Sequence, residues 1–237
     1  MTTLLLSATL AGCASSSSSS NRAPSPPPPA PSGISYLALG DSYTIGEGVA
    51  PAERWPNQLA VGLRAQGIAL SDPRIIAATG WTTDELSAAI DAADAKAPLG
   101  KFGFVTLAIG VNNQYRGRDV DNYRLELTAL LERAIGFAGG NAGHVLMLSI
   151  PDWGVTPFGQ ASGRDTARIS SELDAYNAAA RAVCAARGVA FVDITPVSRQ
   201  RGAEPAMLAS DGLHPSGLMY TEWTRLALPV ARGLLAN

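Results

Sequence analysis

Five short apolar runs, separated by stretches with helical spacing, organise the chain from residue 33 onward. Each run is almost continuously hydrophobic rather than alternating, which is typical of strands covered on both faces. The runs occupy residues 34–39, 74–78, 102–109, 144–150 and 190–194. The pattern therefore predicts five buried strands of a parallel sheet.

Between the runs, apolar residues recur every three or four positions, as on the buried face of a helix. The predicted helices cover residues 55–67, 82–94, 119–138, 166–187 and about 216–235. Pro56 suits a first helical turn, and Thr82 and Glu85 have capping-box spacing. Strict β-α alternation predicts an α/β fold, a single-domain three-layer α/β/α sandwich. Its five-stranded parallel sheet should have the flavodoxin-like order 2-1-3-4-5.

Residues 1–32 differ in composition from the rest of the chain. A short apolar run that ends in small residues predicts a signal peptide over residues 1–12. "LAGC", residues 10–13, resembles a bacterial lipobox, which implies cleavage before Cys13 and lipid attachment to its thiol. The Ser- and Pro-rich remainder of residues 13–32 predicts a flexible tether, so the folded domain should span residues 33–237.

These features predict an exported protein that is anchored to a membrane through Cys13. Ala14, in place of Asp after that cysteine, resembles the sorting signal of outer-membrane lipoproteins; the alternative is a periplasmic or secreted protein. The other cysteine, Cys184, lies in a helical stretch and should be buried and unpaired. The formal net charge of −2 does not indicate nucleic acid as a partner, and we expect a monomer.

Polar residues and glycines follow the predicted strands where the carboxyl ends of a parallel sheet meet. They are the segment 40–42, "GDS", after the first strand, Gly80 after the second, Asn112 after the third, and residues 210–217, "SDGLHPSG", after the fifth. The sequence therefore predicts that a hydroxyl, an amide, a carboxylate and an imidazole share one edge of the sheet.

These groups are the parts that acyl transfer requires. A serine such as Ser42 becomes nucleophilic when a base removes its proton, and histidine suits that role near neutral pH. His144 should lie at the opposite end of the sheet, which leaves His214 as the base. Asp211, three residues earlier, is close enough to bond and orient its ring.

The developing oxyanion needs fixed hydrogen-bond donors. The candidates are the backbone N–H groups of Ser42 and Gly80 and the side-chain amide of Asn112. Candidate pocket residues are Asn113, Gln114, Tyr115 and Trp153, although Trp153 can equally cap the fourth strand. No cluster of residues has recognisable metal-ligand spacing, so neither a metal nor a cofactor is expected.

Four segments together resemble the blocks of the GDSL or SGNH hydrolase family, named for a Ser, a Gly, an Asn and a His. They are "GDSYTIGEG" (40–48), "ATGWTTDEL" (78–86), "IGVNNQ" (109–114) and "DGLHPS" (211–216). Tyr43 replaces the leucine of the eponymous motif, and Asn113 stands where members often have Asp. The resemblance implies an α/β/α sandwich that hydrolyses carboxylic esters or thioesters.

These residues favour the interpretation that the protein is a serine esterase that forms an acyl-enzyme on Ser42. Its substrate would be a small ester of the lipolytic or short-acyl type, which includes lysophospholipids and aryl esters. Two alternatives stay open: an O-deacetylase of cell-envelope carbohydrate, and a non-catalytic envelope-binding module with the same fold.

Overall fold

The structure, a computed structural model, describes residues 33–236. The predicted signal peptide, the lipidation site at Cys13 and the tether lie outside these residues. Across residues 33–236, no helix combines the length and the apolar character needed to cross a bilayer.

The described residues form one five-stranded parallel sheet in the order β2-β1-β3-β4-β5, which confirms the predicted topology. Its strands are β1 (Tyr36–Gly40), β2 (Arg74–Ala77), β3 (Phe104–Ala108), β4 (Val145–Leu148) and β5 (Ala190–Val192). Every residue of β1, β3 and β4 is buried. Continuous burial explains why these strands appear in the sequence as unbroken apolar runs.

The helices flank the sheet, and the five long ones agree closely with the predicted segments. They are α1 (Ser42–Ile45), α2 (Trp55–Ala65), α3 (Thr83–Lys96), α4 (Val111–Tyr115), α5 (Val120–Phe137), α6 (Pro157–Ala161), α7 (Thr166–Ala186), α8 (Thr195–Arg201) and α9 (Gly217–Leu235). Helix α2 packs on α9, whereas α5 packs on both α3 and α7. The short helices α1, α4, α6 and α8 were not predicted, because four to seven residues are too few to display helical periodicity.

Large apolar side chains fill the space between the sheet and the helices. Trp55 on α2 and Trp223 on α9 are almost fully buried, as are Phe104 on β3 and Tyr123 on α5. Burying each such side chain stabilises the fold by roughly 1.5–3 kcal/mol relative to leaving it exposed. The sheet edge that carries the polar segments is therefore attached to a rigid core.

Gly40 allows the chain to turn sharply where β1 ends. A Cβ atom at this position would overlap the Thr44 hydroxyl and the Ala108 carbonyl oxygen. The missing side chain lets α1 fold back tightly against the end of β3. This close packing places the residues that follow Gly40 at the carboxyl edge of the sheet.

Candidate active site

Ser42 is the first residue of α1, immediately beyond β1, and only 4% of its surface is exposed. Asp41 caps this short helix, since its Oδ1 accepts the N–H of Tyr43 at 3.0 Å. Gly46 ends it after about one turn in a left-handed conformation, with φ of 69°. The cap and the terminating glycine together fix Ser42 at the carboxyl edge of the sheet.

Asp211 and His214 form one tight hydrogen-bonded unit in the loop before α9. Asp211 Oδ1 accepts the backbone N–H groups of Leu213 and His214, each at 2.9 Å. Its Oδ2 lies 2.5 Å from His214 Nδ1. Gly212, with φ of 67°, provides the left-handed residue that the turn requires. Since Nδ1 is engaged, Nε2 is the ring nitrogen available for proton transfer.

The two carboxylates near this edge respond oppositely to their surroundings. Burial alone would raise the pKa of Asp211, but hydrogen bonds from the His214 ring and from the Leu213 and His214 N–H groups outweigh it and lower that pKa. Burial raises the pKa of Asp41 to about 7 despite the hydrogen bond from Tyr43. Asp211 therefore stays ionised beside the imidazole, whereas Asp41 holds its proton to much higher pH.

Hydrogen bonds connect the loop after β2, which carries Gly80, to the segment around helix α4, which carries Asn112. Asn112 Nδ2 donates to the Trp81 carbonyl at 3.0 Å, and Arg116 Nη2 donates to the Gly80 carbonyl at 2.6 Å. Gly80 itself is in the left-handed region, with φ of 82°. An amide carries two N–H donors, so Asn112 has one left after bonding to Trp81.

A cavity of about 230 Å³ brings the predicted groups together. Its walls combine the polar groups of the sheet edge with a larger aromatic and aliphatic surface. They are formed by Ser42, Tyr43, Thr79, Gly80, Val111, Asn112, Tyr115, Trp153, Phe158, Leu213 and His214. Asp211 stands behind the wall, where it holds the His214 ring.

Three aromatic side chains form one side of the cavity. The rings of Tyr115 and Trp153 meet edge to face with centroids 5.3 Å apart, and Phe158 lies 6.2 Å from Trp153. Trp153 Nε1 donates to Gln114 Oε1 at 2.9 Å, which fixes the orientation of the indole. The structure thus places Tyr115 and Trp153 on the wall.

Asn113 and Gln114 were candidate pocket residues, but the structure puts neither on the wall of this cavity. Asn113 is fully buried, where its amide pairs with the backbone N–H and hydroxyl of Thr83. The Gln114 amide bridges Trp153 and Glu172. Consecutive residues of α4 point in different directions, so only some of the segment 111–115 can reach the cavity.

The cavity is also lined by five residues that were not predicted as pocket residues: Tyr43, Thr79, Val111, Phe158 and Leu213. Phe158 lies on α6, whose start carries a usable signal: Thr156 caps the helix and Pro157 occupies its first turn. His144 directly precedes β4, at the opposite edge of the sheet. Within residues 33–236, no three His, Cys, Asp or Glu side chains are grouped so that they could hold a metal ion.

Comparison with solved structures shows the same fold in several proteins. TesA covers 85% of this chain and 99% of its own with a TM-score of 0.65 at 20% identity. A lipase/acylhydrolase from Enterococcus faecalis covers 85% and 97%, with a TM-score of 0.64 at 21% identity. The acetylxylan esterase from Geobacillus stearothermophilus covers 85% and 95%, with a TM-score of 0.61 at 19% identity.

Comparison with curated proteins gives no match. The model of the GDSL-like lipase/acylhydrolase family matches residues 38–221, a span that begins in β1 and ends in α9. The match includes the strand ends that carry Ser42, Gly80 and Asn112 and the loop that carries His214. This chain belongs to the GDSL-like lipase/acylhydrolase family.

Proposed function

We propose that this protein hydrolyses carboxylic esters through an acyl-enzyme on Ser42. The observation that carries the proposal is the shared cavity of Ser42 and His214, together with the 2.5 Å bond that holds His214 Nδ1 to Asp211. A hydroxyl, an imidazole and a carboxylate in this order are the parts of a serine hydrolase.

In the proposed reaction, His214 Nε2 takes the proton of Ser42 as Oγ attacks the ester carbonyl carbon. The carbonyl oxygen becomes an oxyanion, for which the Ser42 and Gly80 N–H groups and the second Asn112 N–H are the donors. The C–O bond to the alcohol then breaks, and the imidazolium gives its proton to the leaving oxygen. Water, deprotonated by His214, attacks the acyl-enzyme and releases the acid.

The size and lining of the cavity favour a small apolar acyl group. Its volume of about 230 Å³ lies below the roughly 300–1,000 Å³ of typical ligand pockets. Tyr115, Trp153 and Phe158 offer aromatic surface to the substrate. We therefore expect short acyl esters to be better substrates than long-chain ones.

Removal of acetyl groups from cell-envelope carbohydrate is a second candidate. An acetyl group fits the small cavity, and one structure with the same fold is an acetylxylan esterase. The third alternative, a non-catalytic binding module, is disfavoured because serine, imidazole and amide groups all line one cavity.

The test is a panel of p-nitrophenyl esters from acetate to laurate, acyl thioesters and O-acetylated oligosaccharides, with Ser42→Ala as control. A kcat/KM that is highest for the shortest acyl chains supports a short-acyl esterase. Acetate release from oligosaccharide that exceeds hydrolysis of the acetate ester supports the deacetylase. Turnover of no substrate above the Ser42→Ala rate would contradict ester hydrolysis.

We also propose that Cys13 is lipidated and anchors the domain to a membrane. The support is the lipobox-like "LAGC" and the Ser- and Pro-rich stretch that follows. Labelled palmitate should enter the full chain and its Cys184→Ser variant, but not Cys13→Ser. Equal labelling of all three proteins would exclude Cys13 as the site.

A further inference from the structure

A second and larger depression adjoins the reactive cavity at Tyr115. This arginine groove, as we call it, has a volume of about 610 Å³ and is lined by residues 114–117, 164, 165, 168, 169 and 172. Tyr115 lines both the groove and the reactive cavity. A substrate whose ester lies at Ser42 can therefore extend past Tyr115 into the groove.

The groove contains three arginines, and two of them are neutralised by neighbouring carboxylates. Arg116 pairs with Glu85 at 3.0 Å, and Arg168 pairs with Glu172 at 2.7 Å. Arg164 forms no ion pair within residues 33–236; its Nη1 donates to the Tyr115 carbonyl at 2.9 Å. The remaining acid of the groove, Asp165, caps α7 through its Oδ1. Arg164 therefore has no ion-pair partner of its own among these residues, although its charge lies near enough to Glu172 to help lower the pKa of that carboxylate.

The guanidinium of Arg164 is held in place by aromatic rings. Its Cζ atom lies 4.2 Å from the centroid of the Tyr115 ring and 5.7 Å from that of Trp153. Stacking uses the face of a guanidinium, whereas its hydrogen-bond donors lie along the edge. Of five N–H donors, one is given to the Tyr115 carbonyl, so the others remain for a ligand.

This arrangement also bears on what the groove can bind. Because Arg164 covers a face of Tyr115, that face is not free to stack on a neutral sugar ring. Planar donors, held in a fixed orientation on a guanidinium that no ion pair engages, are suited to an anion with two oxygens. We infer that the arginine groove binds a carboxylate or phosphate carried by the substrate, so that the protein prefers anionic esters. This inference rests on the proposed ester hydrolysis.

Two pairs of substrates test the inference, each with the same scissile ester in both members. The phosphate pair is a short-chain monoacylglycerol and the corresponding acylglycerol phosphate; the carboxylate pair is acetylated glucose and acetylated glucuronate. At low ionic strength, where exposed charges are least screened, we expect kcat/KM for at least one anionic member to exceed its neutral partner by roughly tenfold. The pair whose anionic member is preferred identifies the bound anion as phosphate or carboxylate.

Arg164→Gln should abolish the preference, because kcat/KM falls much further for the anionic member of a pair than for its neutral partner. The matched control, Arg225→Gln, removes an exposed arginine of α9 that pairs with Glu222, and it should keep the preference. Should Arg164→Gln fail to fold, Arg164→Lys replaces it, with a reduced preference expected from the lost stacking.

Absence of a preference in both pairs would overturn the inference. A preference that survives in Arg164→Gln would also overturn it. An equal loss of kcat/KM for neutral and anionic esters would do the same, because it would mean that Arg164 only supports the structure of α4. Turnover of neutral esters by the wild type separates these outcomes from a failure of the proposed hydrolysis.

Discussion

The carboxylate of Asp211 holds the imidazole of His214 through a contact of 2.5 Å between Oδ2 and Nδ1. The other oxygen of the same carboxylate accepts two backbone N–H groups, which fixes the carboxylate within its turn. The turn formed by residues 211–214 therefore fixes the orientation of the ring, and Nε2 is available for proton transfer.

Replacement of Asp211 by Asn tests this relationship. The amide can donate to Nδ1, which shifts the ring proton to Nε2 and removes the base from the serine side. We expect kcat to fall by roughly 10³–10⁴-fold. Asp121→Asn, at an exposed position on α5, is the control and should keep the wild-type rate. Retention of kcat in Asp211→Asn would mean that His214 does not depend on this carboxylate.

Asn112 and Asn113 are adjacent amides with different expected roles. Asn112→Ala should lower kcat by roughly 10²–10³-fold with little change in KM, because it removes an oxyanion donor. Asn113→Ala should instead lower the free energy of unfolding by roughly 1–3 kcal/mol, because Thr83 loses its buried partners. Steady-state kinetics and urea unfolding of both variants measure the contrast. A rise in KM alone for Asn112→Ala would indicate a role in substrate binding only.

Asp41 should make stability depend on pH. Its pKa of about 7 in the folded state exceeds the ordinary value of 3.8, so the folded protein holds a proton that the unfolded chain releases. The free energy of unfolding should therefore fall as pH rises from about 4 to 7 and change no further from this group above that range.

Asp41→Asn removes this dependence and retains an oxygen for the Tyr43 N–H. The free energy of unfolding of the variant minus that of the wild type should be a few kcal/mol larger at pH 8 than at pH 4, at about 1.4 kcal/mol per pKa unit. Urea unfolding at several pH values provides the measurement, with the exposed Asp72→Asn as control. The same difference from wild type at both pH values would show that folding does not raise the pKa of Asp41.

The central strands β1, β3 and β4 were predictable because they are fully buried, so that each appears as an unbroken apolar run. The edge strands β2 and β5 were also found, but the prediction that they are buried was wrong, since each is only partly covered. β-α alternation and the handedness of crossovers limit the possible strand orders, and the order chosen among them, 2-1-3-4-5, is the one observed. The strand ends then indicated which distant segments meet. Ser42 and His214 do line one cavity, although they are 172 positions apart in the sequence.

The wall of the cavity was harder to predict because several of its residues lie on short helices. Asn113 and Tyr115 are two positions apart on α4, yet Asn113 is buried against Thr83 and Tyr115 is 40% exposed. Their directions depend on where α4 begins, which one turn of sequence does not reveal. The position of Arg164 over Tyr115 joins segments 49 residues apart and has no local signal.

Covalent labelling with a fluorophosphonate, located by mass spectrometry of peptides, is the most direct test of Ser42 as the nucleophile. We predict one adduct per chain, on Ser42, with loss of ester hydrolysis in proportion to labelling. Labelling should be absent in Ser42→Ala and much slower in His214→Ala, while both variants keep the wild-type circular dichroism spectrum. An adduct on another residue, or full turnover by a completely labelled Ser42, would contradict the assignment of Ser42 as the nucleophile.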